Sequence, residues 1–177
     1  MSIYYLVASL SMLEFGSKPP LSSKELLKDC ERLLPDGDYR KIVRAMSDDD
    51  EERPGDGDTL LRWKRFSHNF RNELAWLRAV EANRDPSEYL RGERAGEPEV
   101  VDALAEAVKA ADPLSAEQIL DQMLWKKIDE LAAQHYFDID FLITYALKLK
   151  ILERYQAVGS PAGEKIFEKI KEGVLDL

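Results

Sequence analysis

The side chains best suited to chemistry in this 177-residue chain are seven carboxylates in the run SDDDEERPGDGD, residues 47–58. Acids alternating with glycine are typical of calcium loops, but an EF-hand needs Gly at its sixth position and Glu at its twelfth. Counting from Asp48 or from Asp50 puts Thr59 or Leu61 at the twelfth position, so neither register fits. The composition therefore predicts a solvated, mobile loop.

A row of basic side chains follows this loop. Lys64, His68, Arg71 and Arg78 recur at offsets of four, seven and fourteen, which places them on one face of a helix. Residues 59–84 hold six basic and two acidic residues, a net charge of +4 in a chain of formal net charge −9. Two interpretations stay open. In the first, the face neutralises the acidic loop or is simply solvated. In the second, it docks an acidic partner protein.

No recognisable catalytic motif accompanies these charges. GSPAGEK, from Gly159, lacks the spacing and the hydroxyl of a phosphate-binding loop, and neither GxSxG nor HExxH occurs. His135 continues an apolar stripe and has no Cys partner, which disfavours a metal site. The lone Cys30 is expected to be a small buried hydrophobe, and its solitude fits a reducing compartment. We therefore predict a protein without catalytic activity, cofactor or metal.

The expected partner is a protein. The apolar opening IYYLVASLSML is too short to span a bilayer, and no later run approaches the length of a membrane helix. The net charge of −9 disfavours nucleic acid as a partner. The sequence thus predicts a cytoplasmic protein without membrane insertion.

The elements that must position these side chains begin with a repeated phrase. PLSSKELL is followed 93 residues later by PLSAEQIL. We predict Ser22 and Ser115 as helix N-caps, with Glu25 and Gln118 three residues on to complete two capping boxes. The repetition suggests two related helical halves.

Hydrophobic periodicity predicts an all-α fold, a bundle of about six to seven helices in a single domain over residues 1–177. Residues 3–13 fit either a short strand or a short buried helix. The expected helices cover about 23–34, 39–46 and 60–83, a short piece after Asp85, and segments beginning near Pro98, Ser115, Asp138 and Ala162.

After the second phrase the chain reads LDQMLWKKIDELAAQHYFDIDFLITYALKLKILERY. This segment resembles the helical repeat of the rotor protein known as the C subunit of V-type and archaeal-type ATP synthases, or the d subunit of eukaryotic pumps. The second helix of that repeat reads roughly I-D-x-x-N-L-K-x-x-x-R. The residues near those places are Ile139, Asp140, Leu147, Lys148 and Arg154, with Tyr-Ala replacing the usual Asn and a longer spacing.

Nearly the whole chain also resembles a small uncharacterised bacterial family encoded beside V-type ATP synthase subunits. The resemblance lies in the YYLVASL opening, PPLSS, the central FRNELAWLRA and the LKLKILER ending. It implies a non-catalytic subunit or assembly factor, held peripherally at the membrane by the ATPase complex. The C subunit contains three similar helical bundles, and this chain is about half as long, so one or two bundles would fit.

The resemblance implies that the partner is the central rotor shaft or the membrane ring of the ATPase. The basic face of Lys64, His68, Arg71 and Arg78 would supply complementary charge. Trp76 and Trp125 would be exposed apolar anchors. The alternative hypothesis is a free-standing helical adaptor or regulatory protein that binds some other partner.

Overall fold

The computed structural model describes residues 2–158, apart from the side chains of Ser2 and Val158. All regular structure in this range is helical, which confirms the predicted all-α class. The elements are α1 (Ser2–Ser9), α2 (Ser23–Leu33), α3 (Asp36–Met46), α4 (Asp58–Glu81), a 3₁₀ turn (Pro86–Glu88), α5 (Pro98–Val108), α6 (Pro113–Ala132) and α7 (Ile139–Val158). Residues 3–13 therefore form a helix and then an irregular segment. The helix predicted from about Ala162 lies outside the described residues.

The last described helix, α7, is the centre of the fold. It contacts α1, α2, α3, α4 and α6. A helix that is apolar on every side is typical of a buried position. Its buried residues run almost without interruption: Leu142, Ile143, Thr144, Tyr145, Ala146, Leu147, Leu149, Ile151 and Leu152. None of the helices in residues 2–158 is long and apolar enough to cross a bilayer.

The first copy of the repeated phrase forms the predicted cap. Ser22 Oγ accepts a hydrogen bond from the Glu25 N–H at 3.3 Å, and Glu25 Oε2 accepts one from the Ser22 N–H at 2.7 Å. The capping box is therefore confirmed. The helix it opens buries Leu26 and Cys30 completely. Burial raises the pKa of the Cys30 thiol to about 11, and nearby Asp29 adds to the rise, so the thiol stays protonated at neutral pH.

The second copy does not cap its helix as predicted, because α6 begins two residues before Ser115. Asp112 is the N-cap, and its Oδ1 accepts from the Ser115 N–H at 2.9 Å. Pro113 suits the first helical position because it has no N–H to satisfy and its φ is preset. Gln118 donates to the Tyr155 hydroxyl at 3.0 Å instead of closing a capping box. The two copies of the phrase therefore begin their helices in different ways.

Helices α6 and α7 form a hairpin held by ion pairs along its length. Lys148 Nζ lies 2.5 Å from Asp129 Oδ1, and Arg154 pairs with the buried carboxylate of Asp121. Lys148 also lies 5.0 Å from the ring centre of Trp125. Lys148 and Arg154 thus join the two helices.

Candidate protein-docking surfaces

The acidic loop lies against α4 and α7, and its inner end is buried. Asp56 has 0% of its surface exposed and Lys64 has 3%. The Asp56 carboxylate accepts hydrogen bonds from Arg44 Nη1 at 2.5 Å, the Arg53 N–H at 2.9 Å and Lys64 Nζ at 3.0 Å. The prediction of a solvated loop is therefore wrong for this end. The prediction that Lys64 belongs to an exposed docking face is wrong for the same reason.

The charge of Asp56 is maintained despite its burial. Burial alone would raise the pKa of the Asp56 carboxyl, but the donors from Arg44, Arg53 and Lys64 outweigh it and hold this pKa below its usual range. The turn that brings Asp56 inward uses Gly55 and Gly57, whose φ angles are +86° and +81°. Glycine adopts positive φ at little cost because it has no Cβ.

The outer part of the loop, residues 48–52, is here called the acidic arm. Its carboxylates at alternate positions reach three different cations. Asp48 lies 2.6 Å from Lys150 Nζ, Asp50 lies 2.7 Å from Arg71 Nη1, and Glu52 lies 2.7 Å from Arg65 Nε. Arg71 is thus partly exposed and already paired, which supports the neutralising interpretation for this residue. The Asp48–Lys150 and Glu52–Arg65 pairs are exposed enough to contribute little to stability, because water and salt screen them, whereas the Asp50 side chain is 16% exposed.

The arm covers a basic groove that the sequence revealed only in part. The groove encloses a cavity of about 420 Å³ between the loop, α4 and α7. Its apolar floor includes Phe70, Leu74 and Leu147. Its cations are Arg44, Lys64, Arg71, Lys150 and Arg154. Lys150 and Arg154 come from a helix about a hundred residues away from the arm, and no local pattern indicated them.

His68 does not line this groove. Its Nε2 donates to the Arg91 carbonyl at 2.7 Å. The Asn72 side chain pairs with both backbone groups of Arg91, donating at 2.9 Å and accepting at 3.0 Å. These two α4 residues therefore hold the segment after the 3₁₀ turn against the helix. His68 thus contacts the segment after the 3₁₀ turn, whereas Lys64 and Arg71 contact the acidic loop.

The two predicted tryptophan anchors are covered by the chain itself. Arg94 lies 3.8 Å from the ring centre of Trp76 and also pairs at 2.7 Å with the buried Glu73. Trp125 is buried, with its ring 5.6 Å from that of Phe15. The prediction that Trp125 is exposed is therefore wrong, and Trp76 is half-buried beneath an arginine.

Arg78 is an exposed member of the predicted basic face. Within residues 2–158 its guanidinium has no hydrogen bond or ion pair to another side chain. The structure therefore leaves Arg78 on the surface and apart from the basic groove.

Exposed aromatic rings form a patch that the sequence reasoning missed. Tyr4, Tyr5, Tyr136 and Phe137 are between 52% and 71% exposed. Tyr4 stacks on Phe137 with ring centres 4.8 Å apart, and Tyr5 meets Tyr4 edge-on at 6.4 Å. Tyr136 is the chain neighbour of Phe137. We call these four residues the aromatic patch. The sequence signal for this patch was two pairs of adjacent aromatic residues, Tyr-Tyr in the opening and Tyr-Phe between α6 and α7.

One group near this patch has the residue types of a metal site. His135, Asp138 and Asp140 place their ligand atoms within 4.8 Å of one another. His135 Nδ1 lies 2.7 Å from Asp138 Oδ2, and Asp138 Oδ1 accepts from the Phe141 N–H at 2.9 Å. The hydrogen bond to Asp138 raises the pKa of His135, against the effect of burial. An ion pair at the start of α7 accounts for these contacts.

Comparison with known proteins places a family over the last part of the chain. A model described as Protein of unknown function (DUF2764) matches residues 102–174, fewer than half of the 177. The match begins within α5 and includes α6 and α7, but not the acidic loop, α4 or the opening. No curated protein and no solved structure matches the chain. The α6–α7 hairpin is thus similar to a family whose function is not known.

Proposed function

We propose that this protein is a non-catalytic subunit or assembly factor of a V-type ATPase, and that it binds the rotor shaft or membrane ring through the aromatic patch. The aromatic patch is the observation that carries docking as a function. Large aromatic residues in mutual contact and exposed to water are typical of protein interfaces, where Tyr supplies much of the binding energy.

The assignment to a V-type ATPase is supported by the resemblance of the chain to the bacterial family encoded beside that enzyme. The aromatic patch includes both tyrosines of the YYLVASL opening. The resemblance to the C-subunit repeat falls on the α6–α7 hairpin, where Lys148 and Arg154 pair with Asp129 and Asp121. A common helical hairpin would account for these residues without giving them a role in catalysis.

The buried charged side chains also support a structural protein. Asp56 binds Arg44 and Lys64, and Glu73 binds Arg94 and the Gly96 N–H at 3.0 Å. Buried ionic groups that are fully paired fix the arrangement of helices. In this protein they join α3, α4 and the loops beside them.

Affinity purification from the natural host tests the proposal. We expect the tagged wild-type chain to recover catalytic V-type ATPase subunits, quantified by mass spectrometry. The double variant Tyr5→Ser with Tyr136→Ser should recover at least about tenfold less of these subunits, because it removes two large aromatic side chains from the proposed interface. Its core should be unharmed, since both rings are exposed. Met12→Ser is the matched control, since Met12 is also exposed but lies outside the patch.

Three outcomes separate the alternatives. Loss of ATPase subunits from the wild-type sample would overturn the ATPase assignment. A different partner that depends on the aromatic patch would establish the free-standing adaptor. Equal recovery by the double variant and the wild type would show that the patch is not the interface.

A further inference from the structure

The acidic arm lies along the basic groove without regular secondary structure. Residues 49–53 have no helix or strand, and the carboxylates of Asp48, Asp50 and Glu52 point to cations on α4 and α7. Side chains at alternate positions of an extended chain share one face. Asp49 and Glu51, on the other positions, pair locally with Arg53. Asp48, Asp49 and Asp50 therefore line the groove, and the Glu52–Arg65 pair lies beside it.

The contacts of the acidic arm do not require its own residues in particular. They are charge pairs from side chains between 16% and 85% exposed, and hydrogen bonds to backbone carbonyls. Arg71 Nη1 donates to the Asp48 carbonyl at 3.4 Å, and the buried Lys64 Nζ donates to the Glu51 carbonyl at 2.5 Å. Any extended acidic peptide offers the same two kinds of acceptor. The arm is held at both ends independently of these pairs, by the end of α3 and by the buried Asp56. An exchange of the arm for another peptide would leave both of these anchors in place.

The groove offers more than charge. Beside the arm, the cavity of about 420 Å³ has room for a side chain over Phe70 and Leu74. Arg44 and Arg154 also line this space. A peptide with acidic residues and an apolar residue between them would pair with the cations and place its apolar side chain in the cavity that the arm does not fill.

We propose that the basic groove binds an acidic, extended segment of a partner protein, in exchange for the acidic arm of this chain. The arm acts as an internal competitor that keeps the groove covered until such a segment is present. Charge complementarity selects the occupant, and the arm itself shows the geometry that a carboxylate-bearing peptide takes there. This surface is separate from the aromatic patch, so the inference holds whichever complex the protein joins.

The test uses the full chain with Asp48→Asn, Asp50→Asn and Glu52→Gln, which removes the charges of the arm and keeps its shape. The probe is a fluorescein-labelled peptide of residues 47–53, SDDDEER, measured by fluorescence anisotropy at low salt. We expect this arm-neutral variant to bind the peptide at least about tenfold more tightly than the wild type does, because the internal competitor is weakened. The peptide SNNNQQR, which lacks the five carboxylates, should not bind, and about 0.5 M NaCl should abolish binding of the acidic one.

Variants of the groove show where the peptide binds. Adding Arg71→Gln and Lys150→Gln to the arm-neutral variant should remove binding. Adding Arg62→Gln should leave it unchanged, because Arg62 is an exposed α4 arginine paired with Asp58 outside the groove. Circular dichroism establishes that each variant is folded. If the triple variant does not fold, the single variant Asp50→Asn carries the same expectation with a smaller gain.

Three results would overturn the proposal. The first is equal binding by the wild type and the arm-neutral variant, which would mean that the arm does not compete. The second is evidence that the groove is not the binding site: either the folded arm-neutral variant does not bind the peptide, or its binding survives the loss of Arg71 and Lys150. The third is equally tight binding of a single-stranded oligonucleotide of the same charge, which would make the groove a general polyanion surface.

Discussion

The two ends of the acidic loop meet lysine in opposite surroundings. Asp56 and Lys64 are buried together, whereas Asp48 is 85% exposed at the side chain and its partner Lys150 is 34% exposed. The nitrogen–oxygen distances are similar, 3.0 Å and 2.6 Å. The chemistry of the two pairs is the same, but removing one partner leaves an unpaired charge inside the protein in the first case and a hydrated charge in the second.

The pKa values do not distinguish the two ends. The hydrogen bond from Lys150 is the main reason that the pKa of Asp48 lies below its usual value. The pKa of Asp56 is also lowered, although burial alone would raise it. What differs is the consequence of losing the pair. One end is part of the folded core, and the other can exchange with solvent or with a partner.

The largest expected effect is from Asp56→Ala. We expect a loss of about 3–5 kcal/mol in the free energy of unfolding, because the buried Lys64 ammonium then loses its counter-charge and keeps only the Glu51 carbonyl as an acceptor. Urea denaturation measures the change. Asp48→Ala is the matched control and should unfold within experimental error of the wild type. Equal losses in the two variants would show that burial does not separate the two ends.

The cause of that loss can be tested with a double variant. Asp56→Ala together with Lys64→Met should recover much of the stability, because an apolar side chain replaces the unpaired ammonium. Arg44, which also loses Asp56, is partly exposed and can turn towards water. A double variant as unstable as Asp56→Ala alone would mean that the buried charge of Lys64 is not the cause.

A smaller effect is expected from acid. Since the pKa of Asp56 is lowered from 3.8 on folding, its charged form stabilises the native state above about pH 4, and this contribution is lost as the pH falls through the lowered pKa. Melting temperatures between about pH 3 and pH 7 should therefore fall more steeply at the acid end for the wild type than for Asp56→Asn. Parallel curves would show that the ionisation of Asp56 is not linked to folding.

The smallest expected effect is that of salt on the exposed end. The pKa of Asp48 is lowered chiefly by the hydrogen bond from Lys150, and that of Glu52 by the hydrogen bond from Arg65. About 1 M NaCl shortens the screening length to about 3 Å, so both pKa values should rise towards their ordinary range. The pKa of Asp56 should stay lowered. Carboxyl-carbon NMR titrations at low and high salt measure all three, and a rise common to all of them would remove the contrast.

Local signals predicted much of the fold. Ser22 and Glu25 are three residues apart, so a capping box could be recognised without knowing the tertiary structure. The error at Ser115 was also local, because Asp112-Pro113 is an equally good helix start and should have been preferred. The apolar spacing in residues 60–83 predicted α4 to within about two residues at each end.

The docking surfaces were much less predictable. The offsets correctly placed Lys64, His68, Arg71 and Arg78 on one helix. In the folded protein, however, Lys64 and Arg71 contact the acidic loop, His68 contacts the segment after the 3₁₀ turn, and Arg78 faces solvent. Trp76 and Trp125 looked like exposed anchors because a large apolar residue in sequence does not reveal what covers it.

The sequence by itself determined which segments are helices and how the first of the capped helices begins, because those contacts join residues within one or two turns. Only the tertiary structure decided that Lys150 reaches the acidic arm, and that Tyr4 stacks on Phe137 while Trp125 is buried. Such contacts depend on how whole helices pack. Burial then determines whether a charge or an aromatic ring is part of the interior or free to meet another molecule.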